Sequence, residues 1–411
     1  MKKELNMSLQ KIVMFQRAKR VKKLIKNYRC VSSITKNIVN SHNEWDTLQE
    51  VIVGTVKGAT VPEYHVSGKA VWPDKYHNFF RTETGNSFPK QLVKNAEIEL
   101  DNFCNILEQE GVKVRRPSVD GDFNTHVKTP DFTSPTQLYA AMPRDILTVI
   151  GNEIIEAPMA WRSRYFEYRP YRSLIKEYFK SGAKWTTAPK PTMSDKLYNE
   201  DWSSNDEFNS VVTEYEPVFD AAEFTRMGKD IFCQQSQVTN KFGIDWMQRH
   251  LGDEYKIHVL DFKDKNAMHI DGTFIPLGPG KLLVNPKRPC VTGTHSYWFK
   301  YDGEDREYKL PSMFKGWDIF VAETPILDKN HPLYFTSPWT ASANVLVLGQ
   351  GGNGEKPRVV CEAHEEPTIK SFKKWGFDVV KVPFRNFLPF GGSFHCATCD
   401  IRRDSKLESY F

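Results

Sequence analysis

The chain has 411 residues, 40% of them hydrophobic and 26% charged, an ordinary globular balance, and it holds no apolar run of the length needed to span a bilayer. Its formal charge of +5 is concentrated at one end, since residues 1–38 carry eleven Lys or Arg against Glu4 alone and the rest of the chain is net negative. A folded body without basic bias excludes the usual nucleic-acid binder, and seven widely scattered cysteines exclude a disulfide framework and favour a reducing compartment.

Residues 1–40 form a basic leader that mixes apolar and cationic residues, nearly lacks acids and ends in Ser and Thr. It has the composition of a mitochondrial presequence; a disordered basic tail of a cytoplasmic protein and a membrane-surface helix are the alternatives. Residues 41–411 are expected to form one domain. Within it a unit recurs: a polar cue, an apolar β-rich run, a Gly-type turn and a second apolar run. Five copies are read as hairpins, starting at Glu44, Met142, Val218, His269 and Ser342. Between them, residues 89–111, 172–182, 236–252 and 366–376 have helical spacing, and a short strand-like run follows each. Hairpin, helix, strand, repeated without long linkers, favours a single radial or barrel-like α/β domain over a string of domains.

Radial repetition aims the start of each hairpin at a common centre. It would gather Asp46, Asp145, Asp220, His269, Asp271 and Asn344 near the C-terminal stretch FGGSFHCATCDIRR. The pair Cys396 and Cys399 has C-x-x-C spacing, but no second such pair exists to complete a zinc site, and the setting is not the compact βαβ of a redox motif. A Cys396 nucleophile needs a proton acceptor, for which His269 is the candidate, with Asp220 orienting the ring. The further carboxylates would raise the thiol pKa unless a bound cation offsets them. A planar guanidinium meets that need: Asp145 and Asp271 could grip its N–H groups while sulfur attacks the central carbon. Loss of an amine protonated by His269 would leave an amidino group on Cys396. If water attacks next the enzyme is a citrulline-forming hydrolase; if an amine attacks, it transfers the amidino group.

From about Asn43 to Phe411 the chain resembles the glycine amidinotransferase family and the related amidinotransferases of toxin biosynthesis. The likeness rests on long blocks, among them NEWDTLQEVIVG, AAMPRDILTVIGNEIIEAPMAWRSRYFEYRPYRS, DAAEFTRMGKDIF, AMHIDGTF, NPKRPC and GGSFHCATCDIRR. It implies a five-bladed α/β propeller, pentein-type, of ββαβ units around a central active site, working without cofactor or metal, and a homodimer. It places the nucleophile at Cys396, the acid/base at His269 and its partner at Asp220. The guanidine-binding carboxylates fall at Asp145 and Asp271, the carboxylate-binding arginine at Arg288, and two hydroxyl residues at Thr336 and Ser337. Asn266 and Met268 match glycine-using members in a loop that shapes the acceptor pocket. L-arginine and glycine are therefore the expected substrates, with ornithine and guanidinoacetate as products; lysine or another amine remains open as acceptor. The chain departs from the family pattern at residues 291–315, 339–344 and 349–357, the first of these directly after Arg288.

Overall fold

The computed structural model describes residues 38–411, apart from 120–122, 206, 293–295, 301–306 and 353. Most of the basic leader, residues 1–37, and with it the presequence reading, lies outside the described residues. Residues 39–411 form one compact unit. Asn40 is already pinned in it, with its N–H on the Ile401 carbonyl at 3.0 Å and its side-chain amide on those of Arg403 and Ser405, each at 2.9 Å.

Five three-stranded sheets carry the architecture, each with an antiparallel pair and a third strand added in parallel. Blades two to five run in sequence. Blade two holds strands Leu147–Ile150, Glu153–Glu156 and Lys184–Thr187; blade three Phe224–Met227, Asp230–Cys233 and Lys256–Val259. Blade four holds Phe274–Gly278, Lys281–Val284 and Asp318–Val321; blade five Leu346–Gly349, Arg358–Glu362 and Asp378–Val382. Inner strands such as Phe274–Gly278 and Leu346–Gly349 are buried on both faces, which is why they read as continuous apolar runs, whereas outer strands such as Lys184–Thr187 are partly exposed. This is the five-bladed α/β propeller the resemblance implied.

Blade one differs from its expected form. The run LQEVIV does not turn back on its own sequel; Leu48–Val53 pairs antiparallel with Thr398–Arg403 from the other end of the chain, and Lys113–Arg115 adds in parallel. The ring is thus closed by strands from both ends, and the first of the five expected hairpins is a long-range pair. Local alternation identifies a strand but carries no information on its partner.

The expected helices appear at Lys90–Gln109, Arg172–Lys180, Lys241–Leu251 and Glu366–Lys374. The first buries Ala96, Leu100, Phe103 and Leu107, one stripe at helical spacing, and ends near Gly111 at φ +83°. The third starts where the Asn240 side chain accepts the Gly243 N–H at 2.8 Å, a cap worth about 1 kcal/mol. Blade four has no such helix among the described residues. Its crossover is the departure at 291–315, which contains an antiparallel hairpin, Ser296–Lys300 with Glu307–Pro311, followed by the turn Ser312–Phe314.

Candidate active site

The connection into each inner strand delivers one or two polar side chains to the centre. Asp145 lies in the turn Pro143–Ile146, ahead of the inner strand of blade two. Asp220 caps the turn Ala221–Glu223 that opens blade three. His269 and Asp271 belong to the turn Ile270–Gly272 ahead of blade four, Asn344 precedes blade five, and Cys396 precedes the closing strand of blade one. Asp46 does not join them. It is half-buried and takes a 2.7 Å hydrogen bond from Asn43. Glu44, two residues earlier, points inward in its place.

Cys396, His269 and Asp271 line a cavity of about 420 Å³ whose walls also carry Arg288, Thr336, Ser337, Asn266, Met268, Trp72 and Trp339. Asp145 and Asp220 do not line it; they sit behind His269. The Cys396 thiol donates to Asp271 Oδ2 at 3.2 Å, and the Asn344 side-chain oxygen accepts the Cys396 and Ser393 N–H groups, each at 3.1 Å, fixing the turn that presents the sulfur. Cys399 is buried and directed to the Leu147 carbonyl, so the two sulfurs of the C-x-x-C run have different partners.

Burial, followed by the charges of Asp271 and Asp145, holds the Cys396 thiol well above its ordinary pKa. His269 responds in the opposite sense. Burial alone would lower it, but Asp145, at 3.5 Å from Nδ1, and Asp220, at 3.0 Å from Nε2, together with Glu223 push it up to about 10. The ring is therefore an imidazolium at neutral pH. His269 is expected from the sequence to accept the thiol proton, yet the thiol's hydrogen bond runs to Asp271, and His269 enters already protonated. Its backbone is strained: φ is +59° at ψ 120°, a conformation that costs a non-glycine residue about 1–3 kcal/mol and must be imposed by its surroundings.

Several buried groups escaped the sequence reading. Arg164 donates to Asp145 at 3.0 Å, to Asp220 at 3.1 Å and to Glu167 at 2.5 Å, spacing the two carboxylates beside His269. Asp145 Oδ1 accepts no hydrogen bond among the described residues, and His269 Nδ1 faces it at 3.5 Å. Beneath Asp271, His395 Nδ1 lies 2.7 Å from Asp271 Oδ2 and Nε2 lies 3.3 Å from Glu44 Oε2. Burial works against an ionised Asp271, but His395 and His269 outweigh it and bring its pKa down to about 2. Glu44 in turn receives Arg226 at 2.6 Å and Arg144 at 3.3 Å, and Asp400 receives Arg144 and Arg403 at 2.7 Å and Arg226 at 2.9 Å. These pairs are buried. Local pattern could have flagged His395, through its place beside Cys396, but not Arg144 and Arg226, whose carboxylates are 100 or more residues away.

Asp145, Asp220 and His269 bring donor atoms within 4.8 Å of one another, close enough for a metal ion. The donor chemistry does not fit one: the Arg164 guanidinium already places a cation against Oδ2 of both carboxylates, and an imidazolium has no lone pair to offer. At the rim, Arg288 is tied to Asp264 at 2.9 Å and to the Thr273 hydroxyl at 3.3 Å. Thr336 shares a 2.5 Å hydroxyl contact with Thr340, and Asn266 donates to the Ala70 carbonyl at 2.6 Å.

No profile of a known protein family matches the chain. Individual proteins do. It is 50% identical over 375 residues to an L-arginine:L-lysine amidinotransferase of Pseudomonas savastanoi pv. phaseolicola, covering 90% of this chain and 96% of that one. It is also 50% identical over 386 residues to a mitochondrial glycine amidinotransferase of Xenopus tropicalis, covering 91% and 85%. Among solved structures it resembles SxtG, an amidinotransferase of saxitoxin biosynthesis from Microseira wollei, with a TM-score of 0.82 at 45% identity, over 91% of this chain and all of that one. With a buried thiol, an imidazolium and carboxylates converging in one cavity of this propeller, the chain belongs to the amidinotransferase family.

Proposed function

We propose that the enzyme moves the amidino group of L-arginine to glycine through an amidino-Cys396 intermediate, giving ornithine and guanidinoacetate. The observation that carries this is the meeting of the Cys396 thiol and the Asp271 carboxylate at 3.2 Å in a cavity whose wall also holds Arg288. A guanidinium in the cavity against Asp271, with Asp145 acting on it through the field from behind His269, offsets the charges that keep the proton on sulfur, so binding of the cation and ionisation of the thiol are coupled. The thiol releases its proton to solvent as the cation binds, and the thiolate attacks the guanidinium carbon. The imidazolium of His269 protonates the departing amine, and the neutral ring left behind takes a proton from the incoming ammonium before that amine attacks the amidino-cysteine. Arg288 holds the α-carboxylate of each amino acid in turn. Asn266 and Met268 in the cavity wall support glycine as acceptor.

Lysine is the second reading. An amino acid held by its carboxylate at Arg288 and presenting a terminal amine to Cys396 retraces the path of ornithine with one more methylene. The relative that acts on lysine is as similar as those that act on glycine. Incubation with L-arginine and either acceptor separates the cases: guanidinoacetate supports glycine, homoarginine supports lysine, and citrulline without an acceptor would replace transfer by hydrolysis. The proposal extends to a homodimer, tested by light scattering, and to import directed by residues 1–40, tested with isolated mitochondria.

A further inference from the structure

We propose that Glu223 is a positioning residue for the reaction: its carboxyl clamps the backbone of His269 and so holds the imidazolium where the departing amine needs a proton. The idea rests on the assignment of His269 as the acid. The turn Ala221–Glu223, with Asp220 at its cap, sends two carboxyls to one residue: Asp220 Oδ2 lies 3.0 Å from the His269 ring Nε2, and Glu223 Oε1 accepts the His269 backbone N–H at 2.8 Å. Glu223 is completely buried, where a carboxyl is uncommon unless it has a polar task.

That task is visible in the geometry of the acceptor. His269 is one of three non-glycine residues at positive φ among the described residues, and it opens the turn Ile270–Gly272 that also carries Asp271. With no anchor on its N–H, the peptide before His269 is free to rotate toward negative φ. The ring would then leave Asp220 and Asp145. Oε1 accepts the N–H whether or not the carboxyl is ionised, so the anchor depends on the hydrogen bond and not on charge. Asp220 aims the ring while Glu223 fixes the backbone that bears it, and one short turn does both.

The test uses leaving groups. Arginine loses an amine and needs the proton from His269; an arginine analogue with sulfur in place of Nε loses a thiolate and does not. Glu223→Ala is expected to lower kcat for arginine roughly 100-fold, the usual worth of a positioned acid, and to slow formation of the amidino-Cys396 adduct from the analogue by no more than a few-fold. Glu223→Gln, which keeps the acceptor oxygen, is expected to retain most arginine turnover. Adding Glu223→Ala to His269→Ala should cost nothing further, because the clamp acts through the ring. Equal losses with both substrates, Glu223→Gln as damaging as Glu223→Ala, or a further loss in the double variant would overturn the proposal. Full arginine turnover in His269→Ala alone would instead remove the acid assignment beneath it.

Discussion

The floor of the cavity and its rim are built by opposite means. Below Cys396, Glu44 and Asp400 are enclosed by Arg144, Arg226 and Arg403, every member buried and multiply bonded. At the rim, Arg288 is partly exposed with one carboxylate and one hydroxyl, beside loops and the departure at 291–315. A charge in the floor is intolerant of change, because a lost partner leaves an uncompensated ion without water. A charge at the rim can exchange its partner for a substrate. The chemistry is fixed by the first region, and the choice of amino acid is open to adjustment in the second.

The largest effect should come from the thiol that stands on that floor. Cys396→Ala is expected to reduce turnover by about 10⁴-fold or more, with arginine binding retained by calorimetry; persistent turnover would remove the nucleophile from the scheme. Glu44→Gln should leave Arg226 and Arg144 undercompensated and destabilise the fold by about 3–5 kcal/mol, read by denaturant unfolding. A smaller loss would mean that the floor is as forgiving as the rim. Arg288→Ala is expected to raise the KM for arginine about 10- to 100-fold, the worth of one charge-assisted hydrogen bond, with little change in kcat. A drop in kcat instead would make Arg288 part of the chemistry.

The pH dependence separates the two regions again. The His269 pKa is raised on folding, so its contribution to stability is fully present below its unfolded value near 6.5 and is lost as pH rises through about 10. Asp271 is depressed, so its contribution is present above about 4 and is lost as pH falls through about 2. Replacing His269 by Gln should therefore flatten the alkaline side of the stability profile and leave the acid side in place. The smallest effect is expected at the rim: exchanging residues 293–308 for a short Gly-containing connection, with the buried Leu310 and Phe314 kept, should change stability by about 1 kcal/mol or less, since closure entropy varies slowly with length. A switch of acceptor preference in that variant would show that the crossover of blade four selects the second substrate.

Legibility in the sequence divides along different lines. The strands and helices of blades two, three and five could be read because hairpin, helix and strand are contiguous and each announces itself by period. His269 and the carboxylates Asp145, Asp220 and Asp271 were legible as cues at the starts of hairpins, and Cys396 as part of the C-x-x-C stretch near the C-terminus. The partner of Leu48–Val53 was not, being some 350 residues away, and the error at Asp46 arose because Glu44 and Asp46 flank Trp45 with nothing local to tell which faces the centre. Arg144 and Arg226 were silent for the same reason: each is explained by Glu44 and Asp400, which only the closed ring brings to it. The strain at His269 is a property of backbone geometry that composition does not encode.

Ring closure by Leu48–Val53 with Thr398–Arg403 has a consequence for folding kinetics. Contacts between such distant segments form late, since a long loop must be ordered before they yield any stabilisation. Cys396 stands two residues ahead of that seam, so an intermediate with four finished blades still carries an ordinary, accessible thiol. Its loss of reactivity toward a small alkylating agent during refolding would time the closing of the circle, and the enzyme would gain its activity in that same step.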